Sequence, residues 1–200
     1  MQFTRPIKLL GFAGSLRKNS YNRLLLQAAA KLLPAFTQLE IVGIDGIPIY
    51  NQDTEVLGIP QSVKLFKEKI EIADAILITT PEYNHSFPGV LKNAIDWASR
   101  PYGHNSFNGK PVAVMSAAPG LFGGVSAQDQ LKQVLVALNM HVVAQPAVIV
   151  SSVHEKFDMN HELTDTNAKQ FMKQLLANLV DLTRRITQSE ECWQEAPLST

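Results

Sequence analysis

Strand-like and helix-like segments alternate about five times along this chain, and no other feature restricts its fold as tightly. Apolar runs occupy residues 7–12, 39–44, 75–80, 111–117 and 142–150. Between and after them, residues 21–33, 60–73, 88–99, 126–138 and 164–186 carry apolar side chains at helical spacing. In the second of these, Val63, Phe66, Ile70 and Ala73 share one face, with Lys64, Lys67, Glu68 and Glu71 between them. The run Ala-Ile-Leu-Ile-Thr-Thr at 75–80 is nearly all apolar and β-branched, as suits a central parallel strand buried on both faces. The alternation predicts an α/β fold: one parallel sheet with helices on both faces, joined by right-handed crossovers. Pro146 interrupts the last apolar run and predicts an edge or a bulge there. Residues 45–58, with Gly46, Pro48 and Gly58, predict a long irregular segment. Its Ile47, Pro48, Ile49 and Tyr50 are too apolar for a plain linker and predict packing on the sheet edge or on a second subunit.

On such a sheet, ligands bind outside the carboxyl ends of the strands, at the switch point of strand order. The loops after the first, third and fourth strands carry the unusual residues, and in the order 2-1-3-4-5 those strands are neighbours. The first loop runs Gly11-Phe-Ala-Gly-Ser-Leu-Arg-Lys-Asn-Ser-Tyr-Asn22. Gly14 permits close backbone approach. Ser15, Ser20 and Asn22 offer hydroxyl and amide donors, and Arg17 offers a planar charged fork suited to phosphate. The free N–H groups of the helix that follows add to an anion site. Neither G-x-G-x-x-G nor G-x-x-x-x-G-K-[ST] is present, so the loop is not a standard nucleotide cradle. An ordinary βα turn with Ser20 as helix N-cap fits the same residues.

The second loop, Pro81-Glu82-Tyr83-Asn84-His85-Ser86-Phe87, mixes an aromatic ring, an amide and a carboxylate. The third, from Ser116, contains Gly120, Gly123 and Gly124, which let backbone come close to a flat surface. A phosphate pocket beside a flat, backbone-lined slot predicts a phosphorylated flat cofactor. The residue chemistry alone does not choose a flavin.

Composition narrows the partners. The chain of 200 residues predicts one domain at 1–188 with a patternless tail at 189–200. Its formal net charge of +0 gives no bulk electrostatic case for nucleic acid or an anionic membrane. No apolar run approaches the roughly 20 residues that cross a bilayer, and Met1 to Pro6 lack the apolar core of a signal peptide. The single cysteine, Cys192, fits a reducing compartment, so a cytoplasmic location is expected. No metal site is predicted, because His104, His141, His154 and His161 lack ligand spacing with one another and with Cys192.

Three motifs occur in order: Gly14-Ser-Leu-Arg-x-x-Ser20-x-Asn22; Pro81-Glu-Tyr-Asn84 followed by Pro88-Gly-x-Leu-Lys-Asn-Ala-Ile-Asp-Trp97; and Ser116 with Gly120 and Gly123-Gly124. Together they resemble the NADPH-dependent FMN reductase family over residues 7–150. The resemblance implies a flavodoxin-like three-layer sandwich, a five-stranded parallel sheet in 2-1-3-4-5 order, bound FMN, and NADPH or NADH as co-substrate. It implies ping-pong hydride transfer to small acceptors such as quinones, azo compounds and chromate-like oxyanions, by a homodimer or homotetramer. Ser15, Arg17, Ser20 and Asn22 would then hold the FMN phosphate. Pro81, Glu82, Tyr83 and Asn84 would line the isoalloxazine and ribityl chain, with Ser116 and Gly120 on the other side of the ring. No catalytic side chain is implied, because the cofactor carries the reaction. His85, Phe87 and Val90 depart from the family pattern on the open face of the ring, where acceptors are chosen. The alternative is a non-enzymatic flavodoxin-type carrier. Such carriers present an acidic docking surface, and this chain is charge-balanced.

Overall fold

The computed structural model describes residues 5–195, with side chains given through residue 189. Met1 to Thr4, most of the stretch read as lacking a signal peptide, lie outside the described residues, as do the side chains of Cys192 and Trp193. Six strands form one parallel sheet: β1 (Ile7–Ala13), β2 (Thr37–Val42), β3 (Ala75–Thr80), β4 (Pro111–Ala117), β5 (His141–Val142) and β6 (Val148–Val150). Their order is β2-β1-β3-β4-β5, with β6 also paired to β4. This is the 2-1-3-4-5 sheet, its fifth strand broken in two. β5 lies beside Pro111 and Val112 at the start of β4, and β6 beside Met115 to Ala117 at its end. Pro146 stands in the gap, where a residue without an N–H cannot continue the ladder.

The period of two along each central strand sorts side chains into two cores. Leu9, Leu77 and Met115 face α1 (Tyr21–Ala30) and α6 (Thr166–Glu195), meeting Leu25, Leu26, Leu175, Leu176 and Leu179. Leu10, Phe12, Ile76, Ile78 and Val114 face the other layer. That layer is α3 (Gln61–Ile72), α4 (Gly89–Ala98) and α5 (Val125–Ala137), which supply Phe66, Ile70, Leu91, Ile95, Leu131 and Leu135. Every residue of β3 and β4 is buried, as helices on both faces require.

Apart from shifts of one or two residues at other element ends, β2 among them, three features differ from the sequence reading. α1 ends at Ala30 rather than at Leu33, because the chain must turn to lay Thr37 beside Ile7; Ile7 N donates to Phe36 O at 3.1 Å. Residues 45–58 contain a short helix, α2 (Gln52–Leu57), capped by Asn51. The apolar stretch before α2 packs on α4. Asn93 Nδ2 and Trp97 Nε1 each donate to Pro48 O at 2.8 Å, and the Tyr50 ring meets Trp97 edge to face at 5.0 Å. Finally, α6 runs to Glu195, past the pattern end at Ile186, since no glycine or proline interrupts the chain before Pro197. Among the described residues no helix is long and apolar enough to cross a membrane, and no group of three His, Cys, Asp or Glu side chains is placed to hold a metal ion.

Candidate active site

The loops after β1, β3 and β4 meet at the carboxyl edge of the sheet. β1 leads into Gly14, whose N–H donates to Thr79 O at 2.7 Å at the end of β3. A Cβ on Gly14 would stand 2.8 Å from Leu91 Cδ2 and 3.2 Å from Leu91 Cβ, so α4 packs against bare backbone here. Ser15 and Ser20 are buried, whereas Leu16 to Asn19, Arg17 included, are exposed. Ser20 is the N-cap of α1, its hydroxyl accepting from Asn22 N at 3.3 Å. Among the described residues, the backbone N–H groups of Lys18 and Asn19 meet no acceptor, and these two residues form a turn that brings Ser20 N–H towards Arg17 O. They crowd at the positive end of the α1 dipole.

Asn22 points the other way. Its Nδ2 donates to Ala117 O at 2.9 Å, and its Oδ1 accepts from Ala117 N at 3.1 Å. Its own carbonyl accepts from Thr79 Oγ1 at 2.9 Å. The side chain thus ties the start of α1 to the ends of β3 and β4, and leaves its backbone beside the loop.

In the second loop, Tyr83 and Ser86 exchange backbone hydrogen bonds of 2.8 and 3.0 Å. The two residues between them have positive φ, 51° at Asn84 and 62° at His85, the pattern of a two-residue type I′ turn. Asn and His are among the side chains that tolerate this region. The turn leaves Tyr83 half exposed and His85 at its tip. Glu82 faces inward, where Oε2 accepts from Ala127 N at 3.1 Å. That places its carboxylate at the N-terminus of α5, where negative charge is favoured. His85 Nδ1 stands 3.8 Å from Glu82 Oε1.

The third loop is shaped by Ser116 and two glycines. Ser116 is buried; its hydroxyl donates to Gly123 O at 2.7 Å and accepts from Gln128 Nε2 at 3.0 Å. Gly123 and Gly124 have φ of 61° and 95°, and a Cβ on Gly124 would come within 2.9 Å of Ser116 Cβ. Gly120 borders open space, with nothing within 4 Å of where its Cβ would be. Leu121 and Phe122 beside it are exposed.

The three predicted loops therefore converge, but their residues divide. Ser15, Arg17, Ser20, Pro81, Tyr83, Asn84 and Gly120 lie on the loops themselves, while the side chains of Asn22, Glu82 and Ser116 fasten those loops to the scaffold. Gln128 and Gln130 on α5 were missed. Both are polar residues in an amphipathic helix, and nothing local separates them from a solvated face.

This geometry has known counterparts. Residues 7–155 match the sequence profile of the NADPH-dependent FMN reductases. The chain is 47% identical over 180 residues to an NAD(P)H-dependent FMN reductase of Pseudomonas aeruginosa, covering 90% of this chain and 97% of that one. The chain belongs to the NADPH-dependent FMN reductase family. A quinone reductase of Pseudomonas putida is 45% identical over 152 residues, or 76% of this reductase and 82% of that one. The flavoenzyme NAD(P)H:(acceptor) oxidoreductase FerB of Paracoccus denitrificans superposes with a TM-score of 0.82 at 36% identity, covering 90% of this reductase and 98% of FerB. This reductase is thus an FMN-dependent NAD(P)H oxidoreductase with a flavodoxin-like fold, and the carrier reading is not favoured.

Proposed function

We propose that this reductase passes electrons from NAD(P)H to quinones, with azo compounds and chromate-like oxyanions as further acceptors. The observation that carries the reading is the pair of unpartnered N–H groups at Lys18 and Asn19, at the start of α1 and beside the loops after β3 and β4. The names of its quinone reductase relatives support the acceptor class.

The residues fit FMN. The donor set of the first loop, with the exposed Arg17 guanidinium, suits a dianionic phosphate. Ser15, Arg17 and Ser20 would hold it, with Asn22 acting through the start of α1. Pro81 to Asn84 would line the ring and ribityl chain. Gly120, held in place by Ser116 and Gly123, would line the opposite side. Bound FMN supplies a centre that accepts and donates hydride. The chain's part is to fix the phosphate, keep the ring's side open at Gly120, pack Gly124 closely on Ser116, and hold the turn at Tyr83 to Ser86 against α5. No side chain is assigned a proton-transfer role.

The enzyme would act as a homodimer or homotetramer. α2 supports this, since it buries none of its own residues and exposes Val56 and Leu57. A cytoplasmic location is supported by the lone cysteine, Cys192. Residues 1–188 would form the flavin domain and 189–200 a tail that extends it. The test is the absorbance spectrum of the protein with FMN, before and after anaerobic NADPH, followed by a quinone. Bound flavin that bleaches and is reoxidised by the quinone is expected. Bound flavin that stays oxidised with both NADPH and NADH would overturn the reading.

A further inference from the structure

We infer that Gln130 is a positioning residue of the flavin site, holding the turn at Tyr83 to Ser86 in its binding shape. The inference rests on the flavin reading above. The turn is closed by only two backbone hydrogen bonds, and both of its central residues sit at positive φ. Left alone, a single turn of this kind interconverts among several conformers. Gln130, on the second turn of α5, grips it with both ends of one carboxamide. Nε2 donates to His85 O at 2.6 Å, and Oε1 accepts from Ser86 Oγ at 2.7 Å. His85 O can only accept, so the donor end of the carboxamide is the one that faces it. Glu82 adds a second tie to the same helix through Ala127 N, one turn earlier.

The consequence reaches the ring. Tyr83 and Asn84 are the residues proposed to line the isoalloxazine, and their backbone precedes the carbonyl that Gln130 holds. Gln128, two residues earlier on α5, donates to Ser116 Oγ at 3.0 Å and Val148 O at 2.7 Å on the opposite wall. The first turns of α5 therefore set the spacing of the second and third loops together. Gln130 touches neither reacting atoms nor the phosphate donors, so its loss should loosen the slot without dismantling it.

The test uses Gln130→Ala, Gln130→Glu and Ser86→Ala. Glutamate is nearly isosteric and keeps an acceptor for Ser86, but it opposes the His85 carbonyl with a carboxylate oxygen. In the FMN-free protein, amide exchange at Tyr83 and Ser86 should quicken in Gln130→Ala and Gln130→Glu, and less in Ser86→Ala. FMN should bind about three- to tenfold more weakly in the two Gln130 variants, as expected for one or two lost hydrogen bonds at an exposed site. Its visible absorbance bands should shift, while the unfolding temperature of the apoprotein stays close to wild type. Unchanged exchange and affinity would overturn the inference. So would a lower unfolding temperature with FMN affinity and spectrum untouched, since that is a purely structural role. Wild-type protein that bound no FMN would sink the flavin reading instead, and the exchange rates would still decide whether Gln130 holds the turn.

Discussion

Asn22 and Ala117, far apart in sequence, form a two-headed pair: the carboxamide donates to the Ala117 carbonyl and accepts from its N–H, at 2.9 and 3.1 Å. The pair is buried and replaces the ladder bonds that the end of β4 would otherwise need. Asn22→Ala leaves both backbone groups of Ala117 unpartnered, so a loss of about 2–4 kcal/mol is expected in urea unfolding. Asn22→Asp should be no milder, because it turns an oxygen towards the Ala117 carbonyl. A loss of FMN affinity without a loss of stability would mean that Asn22 acts on the ligand directly.

Arg17 and Ser20 should separate binding from folding. Arg17 is exposed and part of no ion pair among the described residues. Arg17→Ala should weaken FMN binding about tenfold or more, as for loss of a charge-assisted phosphate contact, and leave unfolding unchanged. Ser20 also caps α1, so Ser20→Ala should weaken FMN and cost about 0.5–2 kcal/mol of stability. Fluorescence titration of FMN and denaturant unfolding on the same samples check both halves.

Gly124→Ala tests the third loop. Its φ of 95° is strained for any other residue, and its new Cβ would collide with Ser116 Cβ at 2.9 Å. About 1–3 kcal/mol of destabilisation is expected, together with weaker FMN binding. Gly120→Ala meets no such obstacle in the folded chain, so a drop in FMN affinity at unchanged stability would mark Gly120 as lining the ring.

At the opposite edge of the sheet, Asp74 accepts from Nη1 and Nη2 of Arg5, at 2.7 and 2.6 Å, and from the Lys8 N–H at 2.8 Å. Burial pushes its carboxyl upward, but these hydrogen bonds and the charge of Arg5 outweigh it and hold the group below its usual value. A lowered folded value stabilises the protein above the unfolded pKa of about 4, and that stability is lost as pH falls through the folded value. Asp74→Asn should therefore lower stability at pH 7 and flatten its decline as the pH falls below about 5. Thermal unfolding across that range, wild type against variant, reads the difference directly.

The strand positions were legible because buried strands write continuous apolar runs. Ala75–Thr80 and Pro111–Ala117 appear in the structure with the bounds read from sequence. The first loop was legible because its glycines, hydroxyls and Arg17 are contiguous. Less visible were features that depend on a partner remote in sequence. The sequence predicts an edge or subunit contact for Pro48 to Tyr50, and the structure packs this stretch on Asn93 and Trp97 of α4.

By itself, then, the sequence determined the α/β alternation, the apolar runs that form the parallel sheet and the three loops that carry the reductase motifs, since each is encoded by neighbouring residues with a local period or turn chemistry. Only the tertiary structure decided how each polar side chain is used. Asn22 turns to Ala117, Glu82 to the N-terminus of α5, Ser116 to Gly123, and Gln130 to the turn at His85. A hydrogen bond between distant residues is chosen by where the folded backbone leaves a donor or an acceptor unpaired, and no local pattern records that.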